Sequence, residues 1–224
     1  MRKVMLAAVA AMGVVVAPLA LAGFEDGVAA FESEHFEKAV TELTPLAQAG
    51  KIEAMTYLAR AYDEGLDDLG KAVPWYEKAA GKGDPKAQNR LAQLYDDGQG
   101  VSQDTDKALD WYTKAAAQGN DDAQVALGEH YRDDLSDNQT AVRYFTQAAD
   151  KDNPDAQYQL GLLLLGEPGV KRSVPQAWMY LSLAAENADD ADEATQARDV
   201  LELEMSATET EQARKLLHDW KQNH

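Results

Sequence analysis

Residues 87–119 read AQNRLAQLYDDGQGVSQDTDKALDWYTKAAAQG. In the first half, Ala87, Leu91, Ala92 and Tyr95 recur at helical steps; in the second, Ala108, Trp111, Tyr112, Ala115 and Ala116 do the same. Each set marks one face of a helix. Gly98-x-Gly100-Val101 punctuates the middle and Gly119 the end. The stretch therefore predicts two helices joined by a short turn. Small residues sit where the helices must approach closely, and aromatics fill the gaps between them.

The pattern is not solitary. Ala87-x3-Leu91-Ala92-x2-Tyr95 is preceded by Ala54-x3-Leu58-Ala59-x2-Tyr62. It is followed by Ala123-x3-Leu127-Gly128-x2-Tyr131 and by Ala156-x3-Leu160-Gly161-x2-Leu164, at intervals of 33, 36 and 33 residues between leading alanines. The second half recurs as Ala72-x2-Trp75-Tyr76-x2-Ala79-Ala80, Ala141-x2-Tyr144-Phe145-x2-Ala148-Ala149 and Ala177-x2-Tyr180-Leu181-x2-Ala184-Ala185. Periods of this length identify a stacked helical repeat. Gly83-Asp84-Pro85, Asn120 and Asn153-Pro154 supply helix stops, N-caps and first-position prolines between copies. Lys51 holds the capping place of the first copy and cannot cap. Pro74 falls inside an expected helix, which predicts a late start or a kink there.

These residues resemble the Sel-one-like repeat (SLR) family, relatives of the tetratricopeptide repeats, in its periplasmic bacterial type. The second copy is the fullest match, with Tyr95, Gly98, Gly100-Val101, Asp104, Lys107-Ala108, Trp111-Tyr112, Lys114-Ala115-Ala116 and Gly119. The resemblance implies an all-α, right-handed α-solenoid of antiparallel helix pairs whose first helices line a concave surface. Four copies span 51–187. Residues 23–50 read as a degenerate leading pair through Gly27, Ala30, Phe36, Ala39, Leu43 and Gly50. Residues 188–224 read as C-terminal capping helices, over Asp189–Met205 and Ala207–Gln222. Ser206 and Glu209 form a capping box there, and Ala213, Leu216, Leu217 and Trp220 form one apolar stripe.

The N-terminus is read as targeting. Arg2 and Lys3 precede an uncharged apolar run from Val4 to Ala22 that ends in Ala20-Leu21-Ala22, the layout of a cleaved secretory signal over 1–22. Pro18 favours cleavage over retention as an anchor, and Gly23 stands where a lipoprotein would need cysteine. The expected product is periplasmic or secreted, with no stable membrane anchor after cleavage.

The 224 residues carry 21 bases against 39 acids, a formal charge of −18. Removing 1–22, with two bases and no acids, deepens it to −20. So acidic a chain has no basic face to meet phosphates, which excludes nucleic acid as a partner. The absence of cysteine excludes disulfides, thiolate metal sites and a cysteine nucleophile. The acid is concentrated: residues 184–211 hold ten acids and only Arg198 as a base. A solubilising face explains that run, and any basic partner is expected at this end.

Catalytic motifs are missing. His35, His130, His218 and His224 show no metal-ligand spacing, and no G-x-S-x-G, Walker or dinucleotide loop occurs. Asp96-Asp97 and Asp133-Asp134 lack the ligand order of a calcium loop. No cofactor and no metal are expected. Cysteine-rich SLR proteins have been associated with β-lactam binding or hydrolysis; this sequence departs from them in lacking cysteine and any S-x-x-K. Trp75 and Trp111 share a repeat position that the pattern assigns to core, with polysaccharide stacking as the competing reading. Trp178, one residue past Ala177, is out of register, with outward and cap-facing placements both open.

By analogy with related repeats, the partner-binding face comes from first-helix positions two before, two after and five after the motif leucine. These are Thr56, Arg60 and Asp63; Asn89, Gln93 and Asp96; Val125, Glu129 and Arg132; and Tyr158, Leu162 and Leu165. The first three trios are mostly polar and the last wholly apolar. Two expectations follow for the apolar end: it anchors a partner, or the C-terminal helices bury it. The function expected is a non-catalytic module binding another protein or peptide, as envelope scaffold, regulator or immunity protein. A cell-wall or polysaccharide binder is the alternative, with β-lactam hydrolysis behind it.

Overall fold

A computed structural model describes residues 16–188 and 191–224, with side chains from residue 23 onward. Most of the expected leader, residues 1–15, lies outside the described residues, as do Asp189 and Asp190 of the acidic run. Among the described residues the chain is helical throughout: α1 (Val16–Glu32), α2 (Phe36–Gln48), α3 (Ile52–Arg60), α4 (Leu69–Gly81), α5 (Pro85–Asp97), α6 (Thr105–Ala117), α7 (Asp121–Asp133), α8 (Asn138–Ala149), α9 (Pro154–Leu163), α10 (Val174–Asn187), α11 (Asp192–Glu204) and α12 (Ala207–Asn223). A π-helical turn over Ala61–Gly65 continues α3. The fold is an all-α solenoid of paired helices. No described helix is long and apolar enough to cross a membrane.

Two compact units divide the described residues: those up to 87 together with 99–102, and 88–98 together with those from 103 onward. In the N-terminal unit α1 packs on α2, α2 on α3 and α3 on α4. Its interior is the motif itself, with Ala39, Leu43, Ala54, Leu58, Ala59, Ala72, Tyr76 and Ala79 buried. In the C-terminal unit α6 packs on α7, α7 on α8, α8 on α9 and α9 on α10, and α10 is covered by both α11 and α12. Phe145, Leu160, Leu163, Met179, Tyr180 and Leu183 form one buried cluster against which Leu216, Leu217 and Trp220 of α12 pack. The small motif positions are needed: a Cβ added to Gly128 would stand 2.6 Å from the Phe145 ring.

Each turn is pinned twice. Inside the repeats, the carbonyls of Tyr62, Tyr95, Tyr131 and Leu164 accept hydrogen bonds from the amides of Asp68 (2.7 Å), Asp104 (2.8 Å), Asp137 (2.7 Å) and Ser173 (2.9 Å). The residue closing the first motif thus fixes where the second helix starts, although the loop between them varies in length. Between repeats, the amides of Asp84, Asn120 and Asn153 donate to Ala79, Ala115 and Ala148 at 3.1, 3.1 and 3.2 Å. The side chains of the same three residues cap the next helix, accepting from the amides of Ala87 (2.7 Å), Ala123 (2.8 Å) and Ala156 (2.9 Å). Lys51 precedes α3 with no side-chain cap, as its chemistry requires.

A buried glutamine follows the leading alanine in three copies: Gln88, Gln124 and Gln157. Each meets the end of a helix pair in the C-terminal unit. Gln118 donates to Gln88 at 2.7 Å, Gln124 to the Ala116 carbonyl at 3.3 Å, and Asn187 to Gln157 at 3.1 Å. Buried amides of this kind need partners. Gln88 and Gln157 find them in neighbouring side chains, whereas Gln124 donates to backbone and its Oε1 meets no donor among the described residues.

Two expectations need correction, and one reading left open is resolved. α4 starts at Leu69, five residues ahead of Pro74, so the helix does not start late. The carbonyl deprived by Pro74 is that of Gly70, an exposed residue whose oxygen water can reach. Pro45 in α2 is tolerated in the same way opposite exposed Thr41. Trp75 and Trp111 are half-buried, not core; their neighbours Tyr76 and Tyr112 point inward instead. Trp178, left open above, faces the cap, buried with Leu181, Leu201 and Ala213.

Candidate protein-binding surface

In the N-terminal unit the first trio is only partly presented. Thr56 is 5% exposed, its hydroxyl donating back to the Ile52 carbonyl at 3.4 Å. Arg60 forks onto Glu64 through Nε (2.7 Å) and Nη2 (2.9 Å) and lies over the Phe31 ring at 4.6 Å. That pairing raises the Arg60 pKa further. Asp63 accepts from the Tyr76 hydroxyl at 3.0 Å.

In the C-terminal unit Asn89 and Val125 are 7% and 9% exposed. Thr56, Asn89 and Val125 therefore lie within the helix layer and are not available as contact residues. The reason is packing: a first helix is flanked on both sides, so the stripe left to solvent is narrower than the helical period alone suggests. The two later positions of each trio remain half-exposed.

Those remaining polar side chains form a ladder. Gln93 accepts from Arg90 at 3.2 Å. Asp96 on α5 meets His130 Nε2 on α7 at 3.1 Å, and His130 Nδ1 meets Asp134 at 2.6 Å. Arg132 holds Asp133 through Nε at 2.6 Å and reaches Gln159 on α9. The face is thus cross-linked from α5 through α7 to α9. Burial raises the Glu129 carboxyl above its ordinary range, opposed by the Arg132 guanidinium. At His130 burial disfavours the cation, but Asp134 and Asp96 outweigh it, and the pKa is raised. Burial also pushes the nearby Tyr112 phenol up, with Asp96, Asp97 and Glu129 adding to it. Asp96, Tyr112, Glu129, His130, Asp133 and Asp134 line a small hollow of about 220 Å³.

The lack of metal-ligand spacing among the histidines says nothing of the His130 pairing. The available signal was His130 and Asp134 one helical turn apart, with Asp96 about one repeat earlier. Among the described residues no cluster of three or more His, Asp or Glu side chains is placed to hold a metal ion.

At the apolar end, the C-terminal helices cover part of the fourth trio. Tyr158, Leu162 and Leu165 pack against a cluster that includes Leu201 of α11 and Ala213 of α12, yet all three keep some exposure. The burial expectation holds only in part: α11 and α12 cover one side of these residues and leave the other open. The tryptophans of the polysaccharide alternative are occupied. Lys78 stands 3.9 Å over Trp75 and Lys114 4.1 Å over Trp111. A sugar ring would have to displace a cation–π contact at each.

Paired helices, repeated motifs and a polar first-helix face define the class of helical-repeat interaction scaffolds. The Sel1 repeat model matches residues 52–84, 85–120 and 154–189, and a tetratricopeptide repeat model matches 123–157. The chain is a Sel1-repeat protein, of a kind that generally mediates protein–protein interaction and is typically non-catalytic. The copy taken by the tetratricopeptide model is the one whose short internal turn, 134–137, contains no glycine.

Solved structures agree on the fold. A protective antigen of uropathogenic Escherichia coli displaying an SLR fold is 26% identical, with 90% of this chain and 53% of that one covered and a TM-score of 0.66. This chain thus spans about half of that antigen. A Sel1 repeat protein from Oxalobacter formigenes is 22% identical over 90% of this chain and 100% of the other, with a TM-score of 0.69. An immunity protein from Pseudomonas aeruginosa is 18% identical over 91% and 84%, with a TM-score of 0.54. No curated protein matches the chain.

Proposed function

We propose that this chain is an exported, non-catalytic protein-binding module, periplasmic or secreted, that recognises its partner through the first-helix face. The observation that carries the reading is the half-exposed ladder Gln93, Asp96, Glu129, His130 and Arg132, built on helices that are themselves rigidly packed. Side chains held by one another on a firm scaffold are pre-organised, which lowers the entropy lost on binding. The leader-like sequence of 1–22 supports export. Envelope scaffold, regulator and toxin-binding immunity protein are the roles within this reading; an immunity protein from Pseudomonas aeruginosa has the same fold, which is compatible with the last.

The test is affinity capture with the full chain against a variant carrying Glu129→Lys and Arg132→Glu. Partner recovery should fall strongly in the variant while its helical content is retained. Equal recovery would remove this face from the binding site. Cell fractionation of the tagged chain, with mass determination of its N-terminus, tests export; a product beginning at Gly23 in the periplasmic fraction is expected.

A further inference from the structure

In the C-terminal unit an open trough of about 590 Å³ runs between α9 and α11. That volume falls within the range of about 300–1,000 Å³ that ligand sites occupy. Its apolar lining comes from Tyr158, Leu165, Ala197, Val200 and Leu201, and Glu193 and Glu204 border it. Val200 is 55% exposed and Leu203, three residues further along the same helix, is 88% exposed. With Leu135, these are the exposed large hydrophobic residues among those described. Two of three on one surface helix, beside an apolar trough, are more than the scattered apolar residues that surfaces tolerate.

Charge selects the occupant. α11 carries Asp192, Glu193, Asp199, Glu202 and Glu204 against a single base, Arg198. Arg198 is held by Asp199 at 2.6 Å. Arg172, also in the lining, faces Glu209 of α12, whose carboxyl it helps to hold below its ordinary range after the Ser206 hydrogen bonds. An acidic border around an apolar floor favours a segment that brings cations to the border and hydrocarbon to the floor.

We propose that this trough docks a basic segment of a partner protein, which inserts a bulky apolar side chain between Tyr158 and Val200 and sets Lys or Arg against Glu193 and Glu204. The inference rests on the reading of the chain as a protein-binding module. It gives that partner a chemistry and an anchoring point at the apolar end of the first-helix face.

Fluorescence anisotropy with the full chain tests it, using a dye-labelled synthetic peptide in which one tryptophan is flanked by lysines. Two control peptides replace lysine by glutamate and tryptophan by alanine. The lysine–tryptophan peptide should bind, salt should weaken it, and both controls should bind less. Val200→Asp, and separately the pair Glu193→Lys with Glu204→Lys, should each weaken binding by about tenfold, as loss of a central anchor does. These positions are exposed, so the variants should keep the parent's helical content and melting profile. Glu37→Lys with Glu77→Lys, an equal charge change at exposed positions of α2 and α4, should bind the peptide as the parent does. Failure of the parent to bind, indifference to peptide charge, or unchanged binding by the trough variants would overturn the proposal. Equal loss in the Glu37 and Glu77 control would make the effect one of net charge and would overturn it too, while the capture experiment on the first-helix face tests the protein-binding reading separately.

Discussion

His130 shows how much one side chain can add to a repeat surface. Both ring nitrogens face carboxylate oxygens, Asp96 at 3.1 Å and Asp134 at 2.6 Å. Carboxylates only accept, so both nitrogens must donate, and only the imidazolium does that. The folded state therefore binds the proton more tightly than the unfolded chain. The resulting stability is fully present below the unfolded value of 6.5 and is lost as pH rises through the raised folded value. Replacing His130 by Gln should cost roughly 1–2 kcal/mol at pH 5.5, in the range of charged hydrogen bonds at a partly exposed site. The gap in melting temperature between the two proteins should narrow as pH rises through the raised folded value; a gap independent of pH would show that the ring acts only by packing. Gly128 makes the opposite case, where the missing side chain matters. Alanine there would gain about 1 kcal/mol of helix propensity. It would also drive a Cβ to 2.6 Å from Phe145, whose ring is fully buried. Overpacking of that kind costs about 1–3 kcal/mol, so Gly128→Ala should lower the denaturant midpoint.

Among elements, helix boundaries were the most legible feature. Asp84, Asn120 and Asn153 read as caps from their residue type and place, and all three cap. Asp68, Asp104 and Asp137 cap the second helices of their pairs in the same manner, accepting from the amides of Lys71, Lys107 and Thr140. Their role was harder to see because each sits among other acids, where residue type alone does not single out one. Caps differ in weight by burial. Asn153 is nearly buried and also donates to Asp121 at 3.0 Å, tying the start of α9 to that of α7. Ser206 is exposed, and its capping box with Glu209 serves α12 alone. Chemical denaturation should rank Asn153→Ala at about 1–2 kcal/mol and Ser206→Ala nearer 0.5 kcal/mol. Equal losses would mean that the tie to Asp121 contributes nothing.

Across the whole molecule, nearest-neighbour packing makes the terminal helix consequential. In a repeat protein each helix pair is stabilised by its neighbours, so an uncovered last pair exposes core. α12 lays Leu216, Leu217 and Trp220 on the cluster containing Met179, Tyr180 and Leu183, with Trp220 edge-on to Tyr180 at 5.6 Å. Deleting residues 206–224 should lower the melting temperature and raise binding of a hydrophobic dye, and Leu217→Ala should do so mildly, by about 1–2 kcal/mol. A truncated chain that melts like the parent would show that α12 is no cap. The repeat, its period, the helix pairs and most caps are legible in the linear order of residues. These follow from the spacing of small and large apolar residues and from side chains that bond to their own local backbone. Exposure and partnership, by contrast, arise only when the helices pack. Thr56, Asn89 and Val125 are enclosed by flanking helices, Tyr76 and Tyr112 point inward while Trp75 and Trp111 lie under lysines, and His130 draws on an aspartate from the preceding repeat. The α9–α11 trough depends on where α11 lies against α9. Each is a relation between side chains far apart along the chain, and linear spacing carries no information about it until the helices are packed.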